Sequence, residues 1–257
     1  MICDNLPRFK GRGALFAGLV AALLAEGPAA AVVGPSDSGA RFADRLVMVV
    51  SRRGDEQANC TGVVLKPQVV LTAAHCLRSA RDTAIFYRDG EDRPVFKPVQ
   101  AIAIHPDYHA DAIAKRVVSI DLALVETETP LDPRFAAPPL ADGDGPAVGD
   151  ETILAGFGDG REGAPTTAGV LRSARLKVRA PRSTILLWAE DGNRAGAGAC
   201  VGDSGGPLFL ADGETVAAIV AWTSGPERGK HCGSLTQGPL IAPQREWIDA
   251  TLAGWGR

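Results

Sequence analysis

Ser204 stands in the run Cys200-Val201-Gly202-Asp203-Ser204-Gly205-Gly206-Pro207. A serine hydroxyl is a weak nucleophile. A chain that uses one must bring a base within hydrogen-bond reach and supply donors for the oxyanion that forms. Around Ser204 the glycines leave backbone N–H groups unobstructed, Cys200 can pin the loop and Asp203 can brace it. A candidate base, His75, lies in Leu71-Thr72-Ala73-Ala74-His75-Cys76, and a candidate carboxylate opens Asp121-Leu122-Ala123-Leu124-Val125. An imidazole that takes an alcohol proton while a carboxylate fixes its tautomer is the machinery of acyl transfer. Each motif alone says little, since Gly-Asp-Ser-Gly-Gly can form an ordinary turn and a lone histidine is more often structural.

Short strands must position those side chains. β-Branched and aromatic runs cover 46–51, 62–65, 69–73, 84–87, 99–104 and 122–126, with Gly, Pro and Asp between them. A second set covers 152–155, 170–178, 185–188, 207–210, 216–222 and 239–241. Between the sets, 129–150 is rich in Pro, Gly, Ala and Asp and reads as a connection between two units. Only 244–252 has helical character, with Trp247, Ile248 and Leu252 able to share a buried face. The chain is therefore all-β, and the strand spacing fits a barrel or a sandwich equally well.

Composition excludes some partners. The 257 residues carry a net charge of -3, so no electrostatic footprint for nucleic acid or an anionic membrane is visible. Residues 1–31 read as a secretory signal: Arg8, Lys10 and Arg12, then the apolar run Ala14 to Ala25, then Ala29-Ala30-Ala31 as a small-residue cleavage site. That run is shorter than the about 20 apolar residues a membrane span needs. The chain is expected to be secreted or periplasmic and free of the membrane after cleavage. Removing the segment takes away Cys3 and leaves Cys60, Cys76, Cys200 and Cys232, which suggests two disulfides in one of three connectivities.

Together the motifs around His75, Asp121 and Ser204, in that order, resemble those of the trypsin/chymotrypsin-like serine proteases. Separations of 46 and 83 residues suit one group on each half and one at the junction. Gly156-Phe157-Gly158 is similar to the family's Gly-Trp-Gly, and His105-Pro106-Asp107-Tyr108 precedes Asp121 as expected. The resemblance implies two six-stranded antiparallel β-barrels with the active site between them and a C-terminal helix. It places the first barrel at about 32–128, the second at about 151–242 and the helix at about 243–253. It implies disulfides Cys60–Cys76 and Cys200–Cys232, Ser204 as nucleophile, His75 as general base and Asp121 as its orienting carboxylate. The backbone N–H groups of Gly202 and Ser204 would form the oxyanion hole, where a glycine lets the amide face inward. The function so implied is a secreted serine endopeptidase, monomeric, acting on protein or peptide substrates without cofactor or metal. A catalytically silent relative used as a binding module is the alternative, and an esterase-biased relative a third. The Gly-x-Ser-x-Gly nucleophile elbow is rejected, because a strand rather than a helix follows Ser204 and the acid and base precede it.

In family members a new N-terminal ammonium folds inward onto the aspartate before the serine, here Asp203. Val32-Val33-Gly34-Pro35 directly follows the cleavage site, so export itself would create that ammonium on Val32. The family's pocket-floor position that selects Arg or Lys is Gly198 here, followed by Ala199. Trp222 matches the strand beside the pocket, Thr223 replaces a frequent glycine, and Gly238 is expected on the far wall. A small or medium apolar P1 residue follows, since a pocket without a carboxylate cannot compensate a buried cation. Ala221 replaces a serine that usually bonds the catalytic aspartate. His105, Asp107, His109 and Asp111 read as a solvated loop rather than a metal site. Asp89, Glu91 and Asp92 fall where some relatives bind calcium, but Arg88 and Arg93 stand beside them. Asn59-Cys60-Thr61 fits a glycosylation sequon.

Overall fold

The computed structural model describes residues 32–54, 56–115 and 117–257. The expected export signal, with Cys3, lies outside the described residues.

The chain begins with β1 (Asp37–Ser38) and then β2 (Leu46–Arg53), β3 (Glu56–Lys66), β4 (Val69–Thr72), β5 (Thr83–Arg88), β6 (Pro94–Ile104) and β7 (Ala123–Thr127). The last six close into an antiparallel barrel in the order β2-β3-β4-β7-β6-β5. Their sequences show which faces are dry. Val69-Val70-Leu71-Thr72 and Ala123-Leu124-Val125-Glu126-Thr127 are buried at every position, and both read as near-continuous apolar runs. β5 alternates between buried and partly exposed positions, as a strand with one wet face does. A four-residue helix, α1 (Ala112–Lys115), lies in the loop that leads to Asp121.

The second half contains β8 (Glu151–Gly156), β9 (Arg172–Val178), β10 (Leu186–Glu190), β11 (Pro207–Leu210), β12 (Val216–Ile219), β13 (Trp222–Thr223) and β14 (Thr236–Pro239). They form one curled antiparallel sheet in the order β12-β11-β8-β9-β10-β14-β13, with β1 added beside β9. A single bridge, Ala218 to Leu240, joins the two sides of the curl. Discounting the two-residue strands β1 and β13, six strands build this half, and α2 (Arg245–Gly254) follows. Two strand limits differ from expectation. The run 216–222 is broken because Val220 leaves the ladder to bond the nucleophile loop, through Gly205 N to Val220 O (2.7 Å) and Val220 N to Gly206 O (2.8 Å). The last strand lies at Thr236–Pro239 rather than 239–241. It carries Gly238 inside it, where a Cβ would come within 1.7 Å of the Ile219 carbonyl oxygen.

One core crosses both halves: Leu71 and Leu124 of the barrel belong to the same buried cluster as Ile153, Phe209 and Ile219. Phe42, just ahead of the barrel, stacks on Phe209 of β11 at 4.8 Å, and both rings are fully buried. Burying such a side chain is worth about 1.5–3 kcal/mol, so this stack ties the halves together. α2 buries Ile248 and Leu252, four apart on one face, while Trp247 lies against the His105 ring at 4.8 Å. Beyond the helix, Arg257 donates from Nε (2.9 Å) and Nη2 (2.7 Å) to Glu126 of β7, which is buried.

Candidate active site

His75 sits in a single turn of 3-10 helix, Ala74–Cys76, directly after β4. Cys76 of that turn is bonded to Cys60 of β3. Asp121 immediately precedes β7, the neighbour of β4, so adjacent strands deliver both groups to one barrel rim. Asp121 accepts from His75 twice: Oδ2 lies 2.6 Å from Nδ1 and Oδ1 takes the backbone N–H at 2.9 Å. That double hold puts the ring proton on Nδ1 and leaves Nε2 as the basic lone pair. Tyr108 lines the same cleft, and its hydroxyl pKa is raised, first by burial and then by the Asp121 charge.

Ser204 comes from the other half, in the loop before β11. Gly202 has φ 97° and Gly205 has φ 81°, values that side-chain-bearing residues rarely adopt. The glycines also permit contact: a Cβ on Gly202 would come within 2.8 Å of Gly158 Cα, and one on Gly205 within 2.2 Å of the Thr61 carbonyl oxygen. Ser204 is half-buried, and among the described residues its hydroxyl forms no hydrogen bond with His75. Such contacts are often long without substrate and tighten only when it binds. Neither Gly202 N–H nor Ser204 N–H has an acceptor among the described residues. Both donors therefore remain available, while Asp203 N–H, Gly205 N–H and Gly206 N–H of the same loop are bonded.

Cys200, bonded to Cys232, anchors the start of this loop. Gly198 and Ala199 are buried, and Ala199 is held on both sides. Thr223 Oγ1 donates to its carbonyl (3.0 Å), and its N–H donates to Thr236 Oγ1 (3.1 Å). Thr223 and Thr236 are opposite partners of β13 and β14. Gly238 does not lie on that wall. Two residues further along β14 it packs on the Ile219 carbonyl, and Thr236 occupies the place expected of it. Placing the strand at 239–241 hid Thr236; the antiparallel register from Thr223 is what reveals it. Trp222, 41% exposed, joins His75, Tyr108, Asp121, Ile185 and Leu186 around a cleft of about 750 Å³. Ala221 also lines the cleft and has no donor for Asp121, whose carboxylate is bonded only by His75 among the described residues.

Val32 is fully buried at φ 64°. Val33 pairs with Gly198 in both directions, N to O at 3.2 Å each way, which places the Val32 end of the chain beside Gly198, two residues before Cys200 of the Ser204 loop. Asp203 is fully buried and accepts from Gly158 N (2.8 Å) and Cys200 N (2.9 Å). Burial pushes its pKa up to about 7 against those two bonds, and the charge of Asp159 pushes it the same way. No cation pairs with Asp203 among the described residues.

The other candidate clusters have different occupations. Cys60, His75 and Cys76 lie close together, but both cysteines are in the disulfide and offer no thiolate. Asp89 and Glu91 pair with Arg93 at 2.8 and 2.9 Å, and Asp92 with Arg88 at 3.5 Å. His105 is buried on Trp247 and accepts the Asp107 N–H, while the His109 N–H donates to Ser119. The threonine of the sequon is fully buried.

A closed barrel carrying a carboxylate-held histidine, beside a curled β-sheet carrying a glycine-flanked serine on the loop before β11, is the architecture of the trypsin-like serine proteases. Comparison with known proteins agrees: the family model described as Trypsin matches residues 37–243. The chain belongs to this family of serine endopeptidases, which act on proteins or peptides. It is 29% identical to granzyme M of Homo sapiens over 212 residues, covering 74% of this chain and 77% of that protein. It is 29% identical to trypsin epsilon of Drosophila erecta over 217 residues, covering 75% and 77%. Among solved structures, neuropsin of mouse brain superposes with a TM-score of 0.66 at 23% identity, covering 82% of this chain and 95% of that one. A scabies mite inactivated protease paralogue gives 0.68 at 21% identity, covering 86% and 99%. Those two share the fold. Among the described residues no helix is long and apolar enough to cross a membrane.

Proposed function

We propose that the protein is a secreted endopeptidase that cleaves after small or medium apolar residues through an acyl-enzyme. Ser204 attacks the scissile carbonyl as its proton passes to His75 Nε2. Asp121 holds the ring and stabilises the imidazolium. Gly202 N–H and Ser204 N–H receive the oxyanion, and His75 then returns the proton to the leaving amine. The observation that carries this reading is the pair of hydrogen bonds from His75 to Asp121 in the first half, together with the two amides without acceptors, Gly202 N–H and Ser204 N–H, in the second. The P1 preference rests on Gly198, which brings no charge, and on the two threonines that narrow the pocket around Ala199.

Activation follows from export in this reading. Cleavage after Ala31 gives Val32 an ammonium, and the buried Asp203 needs a positive partner once ionised. The Val33–Gly198 pairing supports an inserted N-terminus. Fluorophosphonate labelling tests the whole scheme. The exported chain should label on Ser204 and cleave a peptide library after small residues, and Ser204→Ala should do neither. N-terminal sequencing of labelled protein should begin at Val32, and any other start removes the export-activation step. The silent-relative reading draws on the missing Ser204–His75 hydrogen bond, and an unlabelled wild-type chain would establish it.

A further inference from the structure

The nucleophile loop is held by its carbonyls. In a trans peptide the C=O and the next N–H point in opposite directions, so fixing the carbonyl aims the amide. Val201 O accepts from Asp159 N (2.7 Å), which turns Gly202 N–H away from that contact. Asp203 O accepts from Gly206 N (2.9 Å), which does the same for Ser204 N–H. The carbonyls of the two donor residues themselves, Gly202 and Ser204, are held from the other half of the molecule, by a single residue of β3. Thr61 Oγ1 donates to Gly202 O (2.9 Å) and Thr61 N donates to Ser204 O (2.8 Å). The same hydroxyl accepts from Phe157 N (3.0 Å), in the segment whose Asp159 fixes Val201. Thr61 is fully buried, and Thr72 Oγ1 donates to its carbonyl (2.9 Å).

We infer that the Thr61 hydroxyl is a positioning residue for the oxyanion donors, a brace through which the first barrel sets the geometry of a loop belonging to the second. This rests on the reading of Gly202 and Ser204 as those donors. Both neighbours of the hydroxyl are backbone groups, the buried Gly202 carbonyl and the N–H of the half-buried Phe157. Its removal leaves a carbonyl and an N–H without partners, and the glycine at 202 has no side chain to resist reorientation. The bond from Thr61 N survives any substitution, so a side-chain variant isolates the hydroxyl.

The test uses the full chain expressed for export, with active sites counted by burst titration so that only competent molecules enter kcat. Thr61→Val should lower kcat on a peptide amide about 10- to 100-fold, the cost of a small misplacement at a reacting centre. KM should stay within about twofold, and affinity for a peptide aldehyde, which forms the oxyanion on binding, should fall in proportion to kcat. Thr61→Ser should recover kcat to within about threefold. Unchanged kcat in the valine variant, a rise confined to KM, or no recovery with serine would overturn the inference. Should the valine variant not fold, Thr61→Ala, which adds no atoms, is read by the same numbers. Failure of both to fold beside a normal serine variant would make the role structural and overturn it too. A wild-type chain that neither cleaves nor labels would instead remove the protease reading beneath it.

Discussion

The two halves of this molecule solve different problems. The first barrel is closed, and its His75–Asp121 pair sits beside adjacent strands, joined by two hydrogen bonds to one carboxylate. The second half is a curled sheet whose sides meet at the Ala218–Leu240 bridge, and it carries Ser204, the N–H groups of Gly202 and Ser204, and Gly198-Ala199 on loops. Those loops are shaped by groups from elsewhere in sequence: Thr61 from β3, Val33 from the N-terminal segment, and Thr223 and Thr236 around Ala199. His75 is thus built into a scaffold, whereas the loops of Ser204 and Ala199 are assembled by contacts that a cut or a substitution can remove. Strands are more precise supports than loops, so the contrast predicts where the enzyme is switchable.

Breaking the rigid side should have the largest effect. Asp121→Asn leaves the fold but favours the wrong tautomer of His75, and kcat should fall about 10⁴-fold with little change in melting temperature. A loss below tenfold would mean the pair is not the catalytic base.

The assembled side should reveal itself through pH. In a Ser204→Ala chain with an extra residue before Val32, Asp203 has no ammonium and its folded pKa is about 7, raised by burial. A carboxyl raised above its ordinary value of 3.8 contributes stability below that value and loses it as pH rises through about 7. The melting temperature of this chain should therefore fall between pH 4 and pH 7, relative to one starting at Val32. Parallel curves for the two chains would exclude the Val32–Asp203 pair.

Pocket size comes next. Replacing Thr223 and Thr236 together with glycine removes both branched walls, and the ratio of Phe to Ala cleavage at P1 should rise about 10- to 200-fold. An unchanged ratio would place P1 selection elsewhere in the cleft.

The same contrast governs what could be read from the sequence. The catalytic residues and the strands of the first barrel are local signals: a motif, an apolar run, a turn. The contacts that shape the second half are not. Thr236 matters because register sets it opposite Thr223, and Gly238 reads as a pocket glycine in sequence although it packs against the Ile219 carbonyl. Thr61 read as part of a sequon, because its partners Gly202 and Phe157 are 141 and 96 residues away. Nothing in a strand sequence announces a hydroxyl that serves another domain's loop.

The smallest expected effect sharpens the comparison most. Asp121 is held only by His75 among the described residues, because Ala221 on the second half offers no donor. A serine there would give the rigid pair a third bond, donated from the assembled side, and would resist the swing of Asp121 that leaves the ring free to tilt. Hydrogen bonds to charged groups are worth about 1.5–3 kcal/mol, but only the part felt more strongly in the transition state accelerates the reaction. Ala221→Ser should therefore raise kcat about two- to fivefold, with KM unchanged. A fall in kcat would mean that the bond to His75 is already optimal and that the two halves are matched as they stand.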